Sequence, residues 1–255
     1  MRYAKCPKCG HAPLPTEQAL PAACPACGLI LAKWGAAPPV LQREEANQAQ
    51  EKEGWLARFS ALAFYVPDSV PKFDWQARRA ALIVFAIWTV WILIDVDIRK
   101  GDAGSYLLHM ALLPFHEAGH YAIFRWFGDF IMTLGGTLGQ HLMPIVLGVS
   151  LLWKRRDPFG AALLLWFLGF STIDMAVYMY DAFDPKLMLL GGATGQESDG
   201  HDWQNIFGDL GIIRRSRGIG LFFGALGMAM MLAALAWAWR VLQLQRARLD
   251  HRRAV

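Results

Sequence analysis

An all-α polytopic membrane protein of about five transmembrane helices, preceded by a small cysteine ribbon, is the fold class that three observations predict. Hydrophobic residues make up 55% of the 255 residues and charged residues only 18%, and the mean hydropathy is +0.27. That balance excludes an ordinary soluble domain. Uncharged apolar runs recur at the length a bilayer requires, about 20 residues. All four cysteines fall at the start of the chain, in two CxxC pairs.

The cysteines come first. Cys6-Pro-Lys-Cys9-Gly and Cys24-Pro-Ala-Cys27-Gly repeat one pattern, each CxxC turn followed by a glycine that relieves a tight knuckle. Two such turns aim four thiolates at one tetrahedral ion, the arrangement of a zinc ribbon. The symmetric spacing argues against two disulfides, and no βαβ pattern surrounds the pairs to suggest a redox motif. A closed four-sulfur site leaves no position for substrate, so the ribbon, residues 1–35, is expected to hold a structural zinc and to dock a protein partner. Residues 1–10 are charged, with no apolar core, and do not read as a signal peptide.

Residues 36–79 read as a linker. Ala36-Ala37-Pro38-Pro39 breaks the ribbon pattern, and 42–53 is polar without an apolar stripe. Around Trp55, Phe59, Leu62 and Phe64 the pattern turns amphipathic and aromatic, which suits either a helix on the membrane surface or one packed on the ribbon. The membrane domain is expected over 80–240, with spans at 80–94, 103–124, 130–153, 159–180 and 218–239, and a basic tail over 241–255. After residue 127 the glycines and β-branched residues predict a turn or short extended piece, with the next helix beginning near Leu138. Basic residues do not divide cleanly between the two faces. Reduced thiolates favour a cytoplasmic N-terminus, and the expected location is an inner bacterial membrane.

The chemistry concentrates in one span. Leu112-Leu113-Pro114-Phe115-His116-Glu117-Ala118-Gly119-His120-Tyr121 carries HExxH in an apolar run. On a helix His116 and His120 share a face and can reach one Zn²⁺, with Glu117 beside them to take a proton from water at the metal. Ionisable groups at bilayer depth are costly and mark function. Pro114 removes a backbone bond one turn earlier and predicts a local kink. His109 lies on the same face, seven residues before His116, and reads mainly as a hydrogen-bonding group within the bundle.

A catalytic zinc needs a third protein ligand and an open position. The candidates are Asp174, Asp181, His201 and Asp202. If the spans holding His120 and Asp174 start on the same face, both residues lie about 22 Å along their helices, whereas Asp181 lies at roughly 33 Å. Depth therefore favours Asp174, with Asp181 and Tyr178 beside it. The glycine-rich stretch 191–203 ends in His201-Asp202-Trp203. It reads as a loop in which Asp202 caps the following helix, or as a lid that brings His201 to the metal.

With His116-Glu117-Ala118-Gly119-His120 on a membrane helix, then Gly135-Gly136-Thr137-Leu138-Gly139-Gln140 and an acidic residue on a later span, the chain resembles the site-2 protease family of intramembrane zinc metalloproteases. The resemblance covers about residues 105–183. It implies two histidine ligands, Glu117 as the catalytic base, and an oxyanion donor in the glycine-led segment, where Gln140 stands in place of the family's asparagine. The family's Asp-Gly ligand motif has no membrane-embedded counterpart: Asp181 precedes Ala182, and Asp199-Gly200 lies in a polar segment.

The expected function is hydrolysis of peptide bonds in membrane-protein substrates, with Zn²⁺ held by His116, His120 and Asp174, and Glu117 and Gln140 catalytic. A second zinc sits on Cys6, Cys9, Cys24 and Cys27. The expected surroundings are the lipid bilayer and a membrane-protein substrate, without nucleic acid. The alternative is a non-proteolytic membrane scaffold or sensor that keeps the site fold and binds partners through the ribbon.

Overall fold

The computed structural model describes residues 3–19, 22–34 and 54–249. The chain divides into two compact units, Met1–Phe59 and Ser60–Val255. Of the expected linker over 36–79, residues 36–53 lie outside the described residues, as do the last six residues of the tail and residues 1–2, 20–21 and 35.

In the first unit both cysteine pairs form tight knuckles. The Gly10 N–H returns to the Cys6 carbonyl and the Gly28 N–H to that of Cys24, each at 2.9 Å. Gly10 and Gly28 sit at φ +73° and +70°, a left-handed conformation that glycine adopts without strain. An isolated bridge joins Ala23 to Ile30. Residues 54–63 are helical, and the division between the units falls inside this helix.

The second unit is helical. Its elements are α1 (Lys72–Asp95), α2 (Tyr106–Ala118), a π-helical turn (Gly119–Phe124), α3 (Asp129–Trp153), α4 (Pro158–Asp181), α5 (Asp202–Asp209) and α6 (Ser216–Arg246). No strand occurs among the described residues, only isolated bridges. Among the described residues four helical segments are long and apolar enough to cross a membrane: Lys72–Asp95, Asp129–Trp153, Pro158–Asp181 and Ile213–Arg246. They mark an integral membrane protein. Five were expected. The fifth, over 103–124, is divided instead into the 13-residue α2 and the six-residue π-turn.

α4 is the centre of the bundle. Asp157 caps it, its Oδ1 accepting the Gly160 N–H at 3.2 Å, and Pro158 takes the first position, where no N–H is needed. Trp166, Phe170, Ile173 and Ala176 are fully buried along it. The Trp166 indole donates to Thr89 Oγ1 at 2.7 Å, and that hydroxyl donates to the Phe85 carbonyl, so no polar atom of the pair is left bare. α6 lies along α4 at close range. A Cβ at Gly169 would stand 2.8 Å from the Gly227 carbonyl, and one at Gly227 would stand 2.6 Å from that of Gly169. Small residues here let the backbones approach, the usual solution where lipid offers no hydrophobic drive. α1, by contrast, exposes Ile83, Val84, Ile87, Val90, Trp91 and Ile94, a face suited to acyl chains.

Two boundaries differ from the sequence expectation. α3 begins at Asp129, not near Leu138, and runs helically through Gly135 and Gly136, because the contacts of those glycines outweigh their weak propensity. α6 continues to Arg246, taking in the first part of the expected tail. Its end is tied to the start of the unit, with the Val70 N–H donating to the Arg248 carbonyl at 3.0 Å and the Trp75 indole to that of Leu242, inside α6, at 3.1 Å. The Gly169→Leu substitution should force α4 from α6 and destabilise the bundle by roughly 1–3 kcal/mol. A lowered thermal midpoint in detergent, with Gly218→Ala unchanged because that position is open, checks this.

Candidate metal centre

Ser105 caps α2, its hydroxyl accepting the Leu108 N–H at 3.4 Å. Pro114 lies inside that helix, and the chain widens into the π-turn directly after Ala118. The wider turn carries His120 while His116 stays on the α-helix. π-turns of this kind recur at functional sites.

The π-turn and the end of α2 rest against the glycines of α3. A Cβ on Gly119 would collide with the Gly135 carbonyl, one on Gly136 with His120 Nε2, and one on Gly139 with the Phe115 carbonyl. Glycine is therefore a steric requirement at these three positions, and it brings the imidazoles against the α3 backbone.

Hydrogen bonds fix the tautomers of both histidines. Gln140, 4% exposed, points its Nε2 at the Ser171 carbonyl at 3.3 Å, which leaves its Oε1 facing His116 Nδ1 at 3.0 Å. An amide oxygen cannot donate, so His116 carries its proton on Nδ1. His120 Nδ1 lies 2.7 Å from the Met132 carbonyl and is likewise the protonated nitrogen. In the neutral imidazoles, the form that binds a metal, both Nε2 atoms then bear the lone pairs, and they stand 3.0 Å apart.

The third member is Asp202. Its Oδ2 lies 3.1 Å from His116 Nε2 and 3.2 Å from His120 Nε2. Three electron-pair donors at such separations repel one another unless a cation lies among them. Ligands about 2.0–2.1 Å from a tetrahedral ion stand roughly 3.3–3.4 Å from each other, so an ion would sit here with the three donors moved apart by a few tenths of an ångström. His116, His120 and Asp202 could therefore hold a metal ion. Glu117, half-buried, is close enough to His120 and Tyr178 for its charge to act on both.

Asp174, the expected third ligand, is not brought to this group. Its Oδ1 meets His109 Nδ1 at 2.8 Å, in a contact between α4 and α2. Equal depth along two membrane helices does not bring Asp174 to the histidines; the carboxylate that reaches them comes from the segment after α4. Asp202 does not cap α5 either. His201 takes that place, its Nδ1 accepting the Gln204 N–H at 3.1 Å, so the Asp202 carboxylate is free to face the histidines. Asp181 binds the Lys186 and Leu187 amides and faces His201. Gln140 was expected to donate to an oxyanion. Its Oε1 accepts from His116 and one Nε2 hydrogen is directed to the Ser171 carbonyl, so it orients His116. His141 was not singled out from the sequence. Its Nδ1 donates to the Thr137 carbonyl at 2.8 Å, and its Nε2 lies 3.4 Å from Thr172 Oγ1. Its place directly after Gln140 was the available signal.

The cysteine cluster is assembled too. Cys6 Sγ stands 3.7 Å from Cys27 Sγ, and Cys9 Sγ 3.8 Å from Cys24 Sγ. These are free thiols, far beyond the disulfide length of about 2.05 Å. Sulfurs about 2.3 Å from a tetrahedral ion stand roughly 3.8 Å apart, so these four could hold a metal ion as well. Burial opposes ionisation of Cys6, yet backbone N–H groups of Cys9 and Lys8 outweigh it and bring that thiol down to about 6. Cys9 goes the other way, to about 12: the His11 amide favours its thiolate, but the neighbouring Cys27 and burial outweigh that help. Four thiolates together need a cation.

Compared with protein-family models, curated proteins and solved structures, the chain has no match. Substitution separates the two carboxylates. Asp202→Ala should lower metal occupancy of the membrane unit, whereas Asp174→Ala should leave it filled, as read by metal analysis of the purified full chain. Gly136→Ala should act like Asp202→Ala, since the added methyl displaces both imidazoles.

Proposed function

We propose that the protein is an intramembrane zinc metalloprotease of the site-2 type, hydrolysing peptide bonds of membrane-protein substrates. The observation that carries this reading is the convergence of His116 Nε2, His120 Nε2 and Asp202 Oδ2, with Glu117 adjoining them on the same turn. Two imidazoles and one carboxylate are the protein ligands of a hydrolytic zinc set. Zinc held there would supply Lewis acidity to the water and the carbonyl beside it. Glu117 accepts a proton from the attacking water and returns it to the leaving amine. Gln140 and the Met132 carbonyl hold the imidazoles in the required tautomer, so no reorientation is needed during the reaction. Gln140 has no part as oxyanion donor in this scheme.

The four thiolates of the ribbon suit a structural zinc and a docking role towards a protein partner. Their reduced state favours a cytoplasmic N-terminus in an inner bacterial membrane. A non-proteolytic scaffold or sensor is the second reading, favoured by Gln140 serving His116 with its oxygen and the Ser171 carbonyl with an N–H.

Glu117→Gln should reduce cleavage of a single-span substrate by roughly 10²–10⁴-fold while both zincs stay bound, because the carboxylate is a base and not a ligand. Unchanged cleavage would reject the protease mechanism. Cys24→Ser should cost one zinc per chain and leave the membrane site loaded, as metal analysis would read.

A further inference from the structure

Asp202 reaches the histidines from outside the membrane helices, at the end of a stretch rich in glycine. Something must hold it there. We propose that Asp181, His201 and Tyr178 form a latch that positions Asp202, with Asp181 as the staple that closes the 182–201 loop. This rests on the reading of His116, His120 and Asp202 as a zinc site.

Asp181 gathers both ends of the loop. Its carboxylate accepts the Lys186 N–H at 3.0 and 3.1 Å and the Leu187 N–H at 3.1 Å, close to where the chain leaves α4. At the far end His201 Nε2 lies 3.3 Å from Asp181 Oδ2. His201 is fully buried, and its Nδ1 is committed to the Gln204 N–H, so Nε2 carries the proton. That N–H closes no hydrogen bond, and a buried donor is costly to leave unpaired. The facing carboxylate therefore draws the ring towards α4. A carboxylate as the last residue of a helix also opposes the helix dipole. Its placement is explained by the N–H groups it collects.

Tyr178, one turn before Asp181, completes the latch. Its ring lies 4.0 Å from that of His201 between centroids, tilted by 35°. Its hydroxyl oxygen accepts the Asp202 N–H at 3.3 Å. Gly195 leaves space on another side: a Cβ there would stand 2.8 Å from His201 Cβ and from Pro185 Cβ. The imidazole is thus confined by ring, carboxylate and loop, and the next residue in the chain is Asp202. Asp181, His201 and Tyr178 are positioning residues, since none is grouped with the histidine pair. Groups that orient a metal ligand typically alter affinity 10–100-fold when removed.

The test measures zinc affinity of the membrane site by chelator competition on the full chain in detergent, with the ribbon zinc as an internal reference. Asp181→Asn and Tyr178→Phe should each weaken zinc binding about 10–100-fold. His201→Asn, whose side chain can still cap α5 but cannot span to Asp181, should do the same. In an Asp202→Ala background Asp181→Asn should change zinc affinity no further. A further loss of zinc in that background would show that Asp181 acts on the site other than through Asp202 and overturn the latch. So would wild-type affinity in Asp181→Asn and His201→Asn while Asp202→Ala loses zinc. If Asp202→Ala itself binds zinc like the wild type, the zinc-site reading fails, and the latch with it.

Discussion

The close approach of the HExxH segment to the glycines of α3 is the constraint on which the site depends. Gly119, Gly135, Gly136 and Gly139 remove the side chains that would otherwise separate the two backbones. Only at that distance can the Met132 carbonyl accept from His120 Nδ1, and Gln140 from His116 Nδ1. The tautomers follow from those two bonds, and the direction of the Nε2 lone pairs follows from the tautomers. Chemistry is thus set by packing.

The remaining piece of the centre comes from a different part of the bundle. α4 is the most buried of the four long helices, held against α6 by reciprocal glycine contacts and against α1 by Trp166 and Thr89. A helix so confined is a fixed reference for whatever is attached to its end. The loop after α4 uses that reference: it returns to Asp181 and Tyr178 and brings Asp202 to the imidazoles. Asp174, on the same helix, is engaged with His109. Two carboxylates of like chemistry are thereby separated, one to a helix contact and one to the histidine pair.

Much of this was legible from residue order. HExxH placed two imidazoles on one helical face, CxxC pairs placed four thiols together, and long uncharged runs announced the membrane helices. These are local patterns, and local geometry decides them. The site's third member was less legible, because Asp174, Asp181, His201 and Asp202 all stood as candidates. Ranking them by depth assumed straight helices starting on a common face, and a loop that turns back onto the bundle does not obey that assumption.

By itself, then, the sequence determined the class of structure, the histidine pair with Glu117, and the cysteine cluster, because spacings of three and four residues are set by backbone geometry alone. Tertiary structure decided the rest. It made α3 helical through Gly135 and Gly136, where propensity argued for a turn, because burial against a neighbouring backbone outweighs the entropy that glycine loses. It gave the cap of α5 to His201 and so left the Asp202 carboxylate facing the two histidines. A contact across 82 residues, from His120 to Asp202, has no local signature, since it exists only once the loop has closed on α4.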